Sequence, residues 1–482
     1  MLIKSVLASA LFVFASLATA ATTSPQEAPH WPYDRHGFEL ANQYCMSCHG
    51  QGLTGGRAPP LIRGDWIQSH TEADYAQVIA EGRPTNGMPA FKNSLSKEQI
   101  DSLAHFIATI QNFGKMMAEK SLVGFDHKVF DTELEKFSVE VLASELETPW
   151  SFAFLPNGGI LFTERPGRLR VLDHGKVSDP IAGLPQVWAR QDGGLMSLAL
   201  HPDYAHNGWV YLAFAEPGKE AGTSMTKIVR GRIKDGHWVD QQNIWVAKPA
   251  DYFESNIHFG SRLLFVDGKL FFSIGDRGHR DQAQRISAPF GKVFRVNDDG
   301  SIPADNPFAH QADAVGAVWT YGHRNPQGLG VDPRTGVLWE TEHGPKGGDE
   351  LNALHKGANY GWPLVTHGVD DDGSIITNET SRPGMQDPAT FWVPSISPTA
   401  IEFYTGDKFH HWRNQMLIGS LTAQDLIRIQ VDGERVAKQE VLVKGMGRIR
   451  DIHTGADGYI YVAIERFGKF GQLVRLVPTG NK

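Results

Sequence analysis

The chain has 482 residues with 46 Lys and Arg against 54 Asp and Glu, and its formal charge of -8 argues against nucleic acid as the main partner. Beyond Ala20 there is no run of about 20 uninterrupted apolar residues, so no membrane-spanning helix is expected. Cys45 and Cys48 are the only cysteines, which makes a framework of structural disulfides impossible once both are committed to one site.

The first 20 residues combine Lys4, an apolar run from Val6 to Leu17 and the small-residue end Ala18-Thr19-Ala20, the pattern of an export signal that predicts a soluble periplasmic protein. Loss of Lys4 with this segment takes the charge from -8 to -9. Next comes Cys45-Met46-Ser47-Cys48-His49. Two thiols three positions apart can each form a thioether to a haem vinyl group, and the adjoining histidine then lies under the iron. A zinc knuckle or a redox dithiol are the other readings of such a pair; zinc needs about four ligands, and no further cysteine exists.

On this motif, residues 30–115 resemble the small class of cytochrome c domains. The resemblance implies covalent haem c on Cys45 and Cys48, with His49 and Met88 as iron ligands; Met88 lies in the loop Asn86-Gly87-Met88-Pro89-Ala90-Phe91. Met46 points the wrong way, and Met116 and Met117 fall past the last helix. That helix is predicted over Ser96–Ile110, opened by the capping box Ser96-Lys97-Glu98-Gln99 and carrying Ile100, Leu103, Ile107 and Ile110 at helical spacing. Ala58-Pro59-Pro60-Leu61 resembles the turn whose proline carbonyl accepts a bond from the ligating histidine. Histidine with methionine favours a relatively high reduction potential, which suits an electron acceptor and relay.

Residues 116–137 form a linker without a Pro/Gly/Ser-rich run, and Phe113 to Lys136 holds enough apolar residues to predict that the haem domain docks on the C-terminal domain. From 138 to 478, turn residues precede strand-like runs six times: ILFTE, WVYLAF, KLFFSIGD, VLWETEHG, QMLIGSL and YIYVAIE. Recurring strands with hairpin turns and few helical signals predict a six-bladed β-propeller. A β-sandwich with long loops would not explain the recurrence. The expected fold is therefore multidomain, a small all-α domain followed by an all-β propeller.

Three loop clusters carry more polar chemistry than hairpins need: residues 257–262 with 274–278, residues 321–328 with 342–352, and 448–451. GHRNPQG, EHGPKGGDELN and NYGWPL, in that order, make Leu146 to Val477 resemble the soluble pyrroloquinoline quinone (PQQ) sugar dehydrogenases, the glucose/sorbosone and aldose sugar dehydrogenase family. The resemblance implies a site for a planar tricarboxylate quinone. Arg324, Arg448 and Arg450 match its cationic positions and Asn325 and Gln327 its neutral partners, the planar guanidinium fork suiting carboxylates; blade-to-blade salt bridging is the plainer role for such arginines. Main-chain carbonyls of Gly344 and Pro345 match the ligands of a calcium ion, and Asp349, Glu350 and the carbonyl of Tyr360 resemble a second calcium site. His258 matches the general base for the anomeric hydroxyl, with Asp276 orienting or charge-balancing it.

Two positions depart from the family pattern. Asp192 stands where a glutamine is common, and Thr422 where a cofactor-contacting lysine is common; both changes work against an anionic ligand. The combined expectation is a periplasmic quinohaemoprotein in which an aldose reduces PQQ and electrons leave through haem to an external acceptor, whether a cytochrome, a copper protein or a respiratory oxidase. A sorbosone-type or other aldehyde or alcohol dehydrogenase on the same scaffold is the alternative within enzymes, and a carbohydrate- or protein-binding propeller without turnover the alternative outside them.

Overall fold

A computed structural model describes residues 35–49, 53, 58, 61, 70–84, 87–120, 124–370, 373–466 and 469–480. The expected export signal lies outside the described residues, as do Pro59, Pro60 and Asn86. Among the described residues, four helices form the first domain: α1 (Arg35–Tyr44), α2 (Met46–His49), α3 (Glu72–Glu81) and α4 (Lys97–Lys120). The predicted capping box is present, with Ser96 N donating to Gln99 Oε1 at 2.9 Å and Gln99 N donating to Ser96 Oγ at 3.2 Å. Helix α4 continues past Ile110 to Lys120, because residues 111–120 hold no proline and are rich in helix formers. It crosses α1 closely at Gly37, where a Cβ would lie 2.4 Å from the Ser102 carbonyl oxygen. Leu40, Ala41, Ile79, Leu103, Ala104 and Ile107 fill the space between the helices.

Between the end of α4 at Lys120 and the first strand at Val129 the connection is shorter than residues 116–137. Phe125, the described aromatic residue of this connection, packs on the neighbouring strands of the propeller. Phe125 and Phe130 join the cluster of Phe137, Phe409 and Trp412, in which Phe137 meets Trp412 edge-on with ring centroids 5.5 Å apart.

The rest of the chain forms six antiparallel sheets, the blades of the expected propeller. Their first strands are Pro149–Phe154, Leu195–Leu200, Leu263–Val266, Pro326–Val331, Pro398–Phe403 and Arg448–Thr454. Each of these touches the first strands of both neighbouring blades, so together they ring a central channel. Second strands such as Ile160–Glu164, Leu338–Glu342 and Met416–Ser420 are buried along their whole length, covered by blades on either side, which is why they read as near-continuous apolar runs. The hairpin at Asp267-Gly268 shows the turn chemistry: φ is +48° and +71°, and the ladder closes at Val266 opposite Lys269.

One pairing closes the ring. Lys136–Leu146 runs beside Lys469–Pro478, with Phe137 opposite Pro478 and Leu146 opposite Gly471, so the start of the propeller completes its last blade. In every blade the first strand leaves one end of the channel and the second returns to it. Loops entering first strands and leaving second strands therefore gather at the same mouth. Among the described residues no helix is long and apolar enough to cross a membrane.

Candidate active site

The third blade supplies His258, before its first strand, and Asp276, after its second. His258 Nδ1 lies 2.6 Å from Asp276 Oδ1. The backbone of His258 sits at φ +52°, and Gly275 lets it approach, since a Cβ there would lie 2.3 Å from the His258 carbonyl oxygen. Asp276 is 1% exposed; Oδ1 also accepts from Gly278 N at 2.8 Å, and Oδ2 accepts from Trp362 Nε1 at 2.8 Å. Burial by itself would raise this carboxyl, but His258, then Arg324 and the Gly278 amide, outweigh it and hold Asp276 down to about 2. An ionised carboxylate only accepts, so Nδ1 of His258 carries a proton, and in the neutral ring the lone pair is the one on Nε2.

Beside this pair, a cavity of about 180 Å³ in the channel mouth is walled by Trp150, Met196 and Phe259 and edged by Asn325, Gln327, His343, Arg448 and Arg450. Arg450 Nε donates to Glu465 Oε2 at 2.6 Å; burial pulls Arg450 down to about 10, still charged at neutral pH, while Glu465, which burial alone would raise, is brought down to about 2 by Arg450, Arg448 and Arg165. Arg448 Nε, 3.4 Å from Glu465, is buried with no hydrogen-bond partner among the described residues. Burial, then the charge of Arg324, pushes His343 down to about 3, so it is neutral and donates Nε2–H to the Pro398 carbonyl at 3.0 Å. Gln327 Nε2 donates to Asn325 Oδ1 at 3.1 Å. Asp192 borders the slot and its Oδ2 accepts the His258 amide at 3.3 Å, while Thr422 shares a hydrogen bond of 2.7 Å with Ser397. A flat apolar wall, neutral amides and guanidiniums with donor capacity to spare fit a planar polyanion; Asp192 is the one lining group that opposes it.

Arg324 stands apart from Arg448 and Arg450. Its guanidinium donates to the His343 carbonyl at 3.2 Å, and it borders a smaller cavity with Glu342, Gly344, Pro345, Glu350 and Tyr360. This oxygen-rich lining suits a hard divalent cation such as calcium. Asp349 is engaged elsewhere and accepts from Gly344 N, Ser395 Oγ, Ile396 N and Ser397 N, which fixes the loop rather than leaving lone pairs for an ion.

Glu342 and Glu350 of that lining continue into a buried cluster in which the sequence alone assigned a role to Glu350 and none to Glu340 or His323. Glu340 faces Asn352 and Glu342 faces Glu350 across two strands, and the Asn352 amide reaches all three carboxylates at 3.1 to 3.3 Å. Burial, reinforced by repulsion from Glu342, pushes Glu340 and Glu350 well above the carboxylate range. Donor atoms of His323, Glu340 and Glu342 lie within 4.8 Å of one another, and Glu340 Oε1 has no hydrogen-bond partner among the described residues. The alternation in VLWETEHG places both glutamates on one face, the signal that was available. Arg262 is a second residue that sequence reasoning missed. It closes the channel under the slot, paired to Asp451 at 2.7 Å and donating to the carbonyls of Gln327 and Arg450 at 2.9 Å each.

In the helical domain, Cys45, Cys48 and His49 share one turn, with His49 N donating to the Cys45 carbonyl at 2.9 Å. Met88 packs against the cluster that contains Cys45, while Met46 is itself buried in that core. Two thiols, an imidazole and a thioether around one small core fit haem c.

Residues 146–475 match the family described as glucose/sorbosone dehydrogenase, and residues 33–107 match that described as subunit III of cbb3-type cytochrome c oxidase. The aldose sugar dehydrogenase YliI of Escherichia coli (strain K12) is 39% identical over 350 residues, covering 71% of this chain and 93% of that protein. Quinoprotein glucose dehydrogenase B of Acinetobacter calcoaceticus is 28% identical over 419 residues, covering 69% of this chain and 86% of that protein. Among solved structures, the PQQ-bound form of aldose sugar dehydrogenase from Streptomyces coelicolor has a TM-score of 0.59 at 25% identity, covering 71% of this chain and 98% of that one.

Proposed function

Because the chain belongs to the glucose/sorbosone dehydrogenase family and carries a cytochrome c domain ahead of its propeller, we propose that it oxidises the anomeric hydroxyl of an aldose to the lactone with PQQ and passes the electrons to haem c. The observation that carries this reading is the His258–Asp276 pair at 2.6 Å beside a slot edged by Arg448 and Arg450. When bound, PQQ with calcium would supply a two-electron acceptor for the hydride, and haem c would supply a one-electron relay.

The protein's own groups then divide the work. His258 Nε2 takes the hydroxyl proton, and Asp276 holds the ring in the tautomer that can accept it. Arg448 and Arg450 hold carboxylates, Asn325 and Gln327 give neutral hydrogen bonds, and Trp150 and Phe259 exclude water from the faces of a flat ligand. Arg324, through the His343 carbonyl, steadies the loop whose Gly344 and Pro345 carbonyls would hold calcium; Glu350 and the Tyr360 carbonyl would hold a second. Cys45, Cys48, His49 and Met88 would hold the haem. The periplasm is the compartment that the leading segment and a c-type haem favour, with a cytochrome, a copper protein or a respiratory oxidase as external acceptor.

The test is reconstitution with PQQ and calcium, followed by dye-linked oxidation of a panel of aldoses. His258→Gln should slow turnover by about 10²–10⁴-fold while changing PQQ affinity far less. Equal turnover in the variant removes His258 from the mechanism. Failure of the loaded wild-type protein to oxidise any aldose leaves an aldehyde or alcohol dehydrogenase on the same scaffold or the binding module, the latter being the reading that Asp192 favours.

A further inference from the structure

The loop that carries His258 and the loop that carries Asp276 both pass through the left-handed region: φ is +52° at His258, +63° at Gly260 and +84° at Ser261 on one side, and +55° at Arg277 and +85° at Gly278 on the other. His258, Ser261 and Arg277 bear a Cβ, for which this conformation is costly, and it persists only where the surrounding contacts over-determine it. Those contacts converge on Arg277, which is 1% exposed and takes no part in the chemistry assigned above.

Arg277 Nε donates to the Ile257 carbonyl at 2.8 Å and Nη2 to the Ser255 carbonyl at 2.6 Å, so the guanidinium grips the chain on the entry side of His258. On the exit side, the guanidinium carbon lies 3.6 Å from the ring centroid of Phe259, part of the slot wall. The far edge of the fork is anchored to Ser224–Lys234, the third strand of the second blade, where Nη2 donates to Ser224 Oγ at 3.1 Å and Nη1 to the Ser224 carbonyl at 3.3 Å. Arg277 also follows Asp276 directly, and Gly278 N donates to Asp276 Oδ1, so residues 276–278 hold the imidazole, its backbone and its carboxylate partner as one unit.

Every hydrogen bond that this guanidinium makes among the described residues goes to an uncharged acceptor. Burial pulls Arg277 down to about 9, offset in part by Asp192 and then Asp276, and it remains charged at neutral pH. A buried cation without an ion-pair partner costs stability, and a neutral side chain would avoid that cost. What arginine supplies is a rigid fork with donors in one plane and a flat face for an aromatic ring.

We infer that Arg277 is a positioning residue for the base: its guanidinium clamps Ile257 and Phe259 on either side of His258 and so holds the imidazole in register with Asp276. This deepens the aldose dehydrogenase reading above and, for its effect on turnover, rests on it.

Three variants test the clamp. Arg277→Lys keeps the charge but loses the fork and the stacking on Phe259, Arg277→Gln loses the charge as well, and Ser224→Ala removes one acceptor while leaving the guanidinium in place. Two readouts are taken on the full haem-containing chain, with circular dichroism to verify the fold. One is the low-field proton resonance of His258 Nδ1–H in the PQQ-free protein with its haem kept ferrous, identified by its loss in His258→Gln. The other is the limiting rate constant for reduction of bound PQQ, in the calcium-loaded protein, by the aldose that wild type oxidises fastest; it does not depend on the folded fraction, so a merely structural role would leave it unmoved. In both Arg277 variants the resonance should shift or broaden beyond detection. The rate constant should fall about tenfold or more while the aldose concentration for half-saturation changes by less than about threefold, because a misplaced base loses transition-state rather than ground-state contacts.

A wild-type resonance and rate constant in Arg277→Lys overturns the clamp, as does a loss carried entirely by half-saturation. Should neither Arg277 variant fold, Ser224→Ala decides: a displaced resonance sustains the clamp and a wild-type resonance overturns it. If no aldose reduces PQQ even in wild type, the aldose reading sinks and the resonance alone judges the clamp; reduction in wild type with both readouts unchanged in the Arg277 variants sinks the clamp and spares the reading.

Discussion

Replacing Asp276 with asparagine isolates what the carboxylate does for His258. In the native arrangement Oδ1 accepts from both His258 Nδ1 and Gly278 N, and Oδ2 accepts from Trp362 Nε1. Asparagine has one acceptor and one donor end. With its oxygen toward His258, its NH₂ confronts the Trp362 N–H; flipped, its NH₂ confronts the Gly278 amide and forces His258 to present Nδ1 as acceptor, moving the proton to Nε2. Either placement leaves a buried donor unsatisfied, a stability cost of about 1–3 kcal/mol. The flipped form also removes the lone pair that accepts the substrate proton. A positioned base contributes about 10²–10⁴-fold, so reduction of bound quinone by aldose should slow by that factor, about 3–5 kcal/mol in barrier. Anaerobic stopped-flow absorbance reads this step directly, and PQQ titration serves as the control. Reduction within threefold of wild type would refute the orienting role. The fall of Asp276 from 3.8 to about 2 corresponds to about 2 kcal/mol of stability, present above the usual carboxylate range and lost as pH falls toward 2, so in wild type this group should give no break in rate between about pH 5 and 9.

Arg262→Met should destabilise the protein by about 1–3 kcal/mol in urea denaturation, because the buried carbonyls of Gln327 and Arg450 and one oxygen of Asp451 lose their donor while His453 still pairs with Asp451; a loss under about 0.5 kcal/mol would mean that water reaches the channel floor. Asp192→Gln removes an anion from the slot and should tighten PQQ binding about tenfold, whereas unchanged or weaker binding would show that Asp192 faces away from the ligand's carboxylates. Calcium removal should lower the melting temperature more at pH 8 than at pH 5. Glu340 and Glu350 are raised in the folded state, so the stability they contribute is present below the ordinary carboxylate range and lost as pH rises through their folded values, unless a cation offsets the charge. A chelator effect independent of pH would detach these carboxylates from the metal.

Chemistry carried by contiguous residues was legible before any coordinates. Five residues define the haem motif, and turns such as Asp267-Gly268, with both φ values positive, mark the hairpins that repeat six times. Features that depend on distant pairing were not. Lys136–Leu146 reads as one more strand, and nothing local says that it seals the ring against Lys469–Pro478. Arg262 and Asp451 lie 189 positions apart, so a buried pair beneath the slot emerges only when the first and third clusters meet around the channel. Glu340 and Glu342 alternate visibly, yet their convergence with Glu350 on Asn352 requires the strand register. The apolar residues of the linker were expected to mark docking of the haem domain; of the described ones, Phe125 and Phe130 pack on the propeller core, and α1 borders a cavity together with propeller loops.

The central claim is that aldose oxidation at the channel mouth drains into the haem of the same chain. Anaerobic addition of an oxidisable aldose to the protein loaded with PQQ and calcium, with no external acceptor, should turn the haem absorbance fully to the ferrous form in wild type and leave it ferric in His258→Gln. A wild-type haem that stays ferric while a soluble dye is reduced by the same sugar would contradict the account.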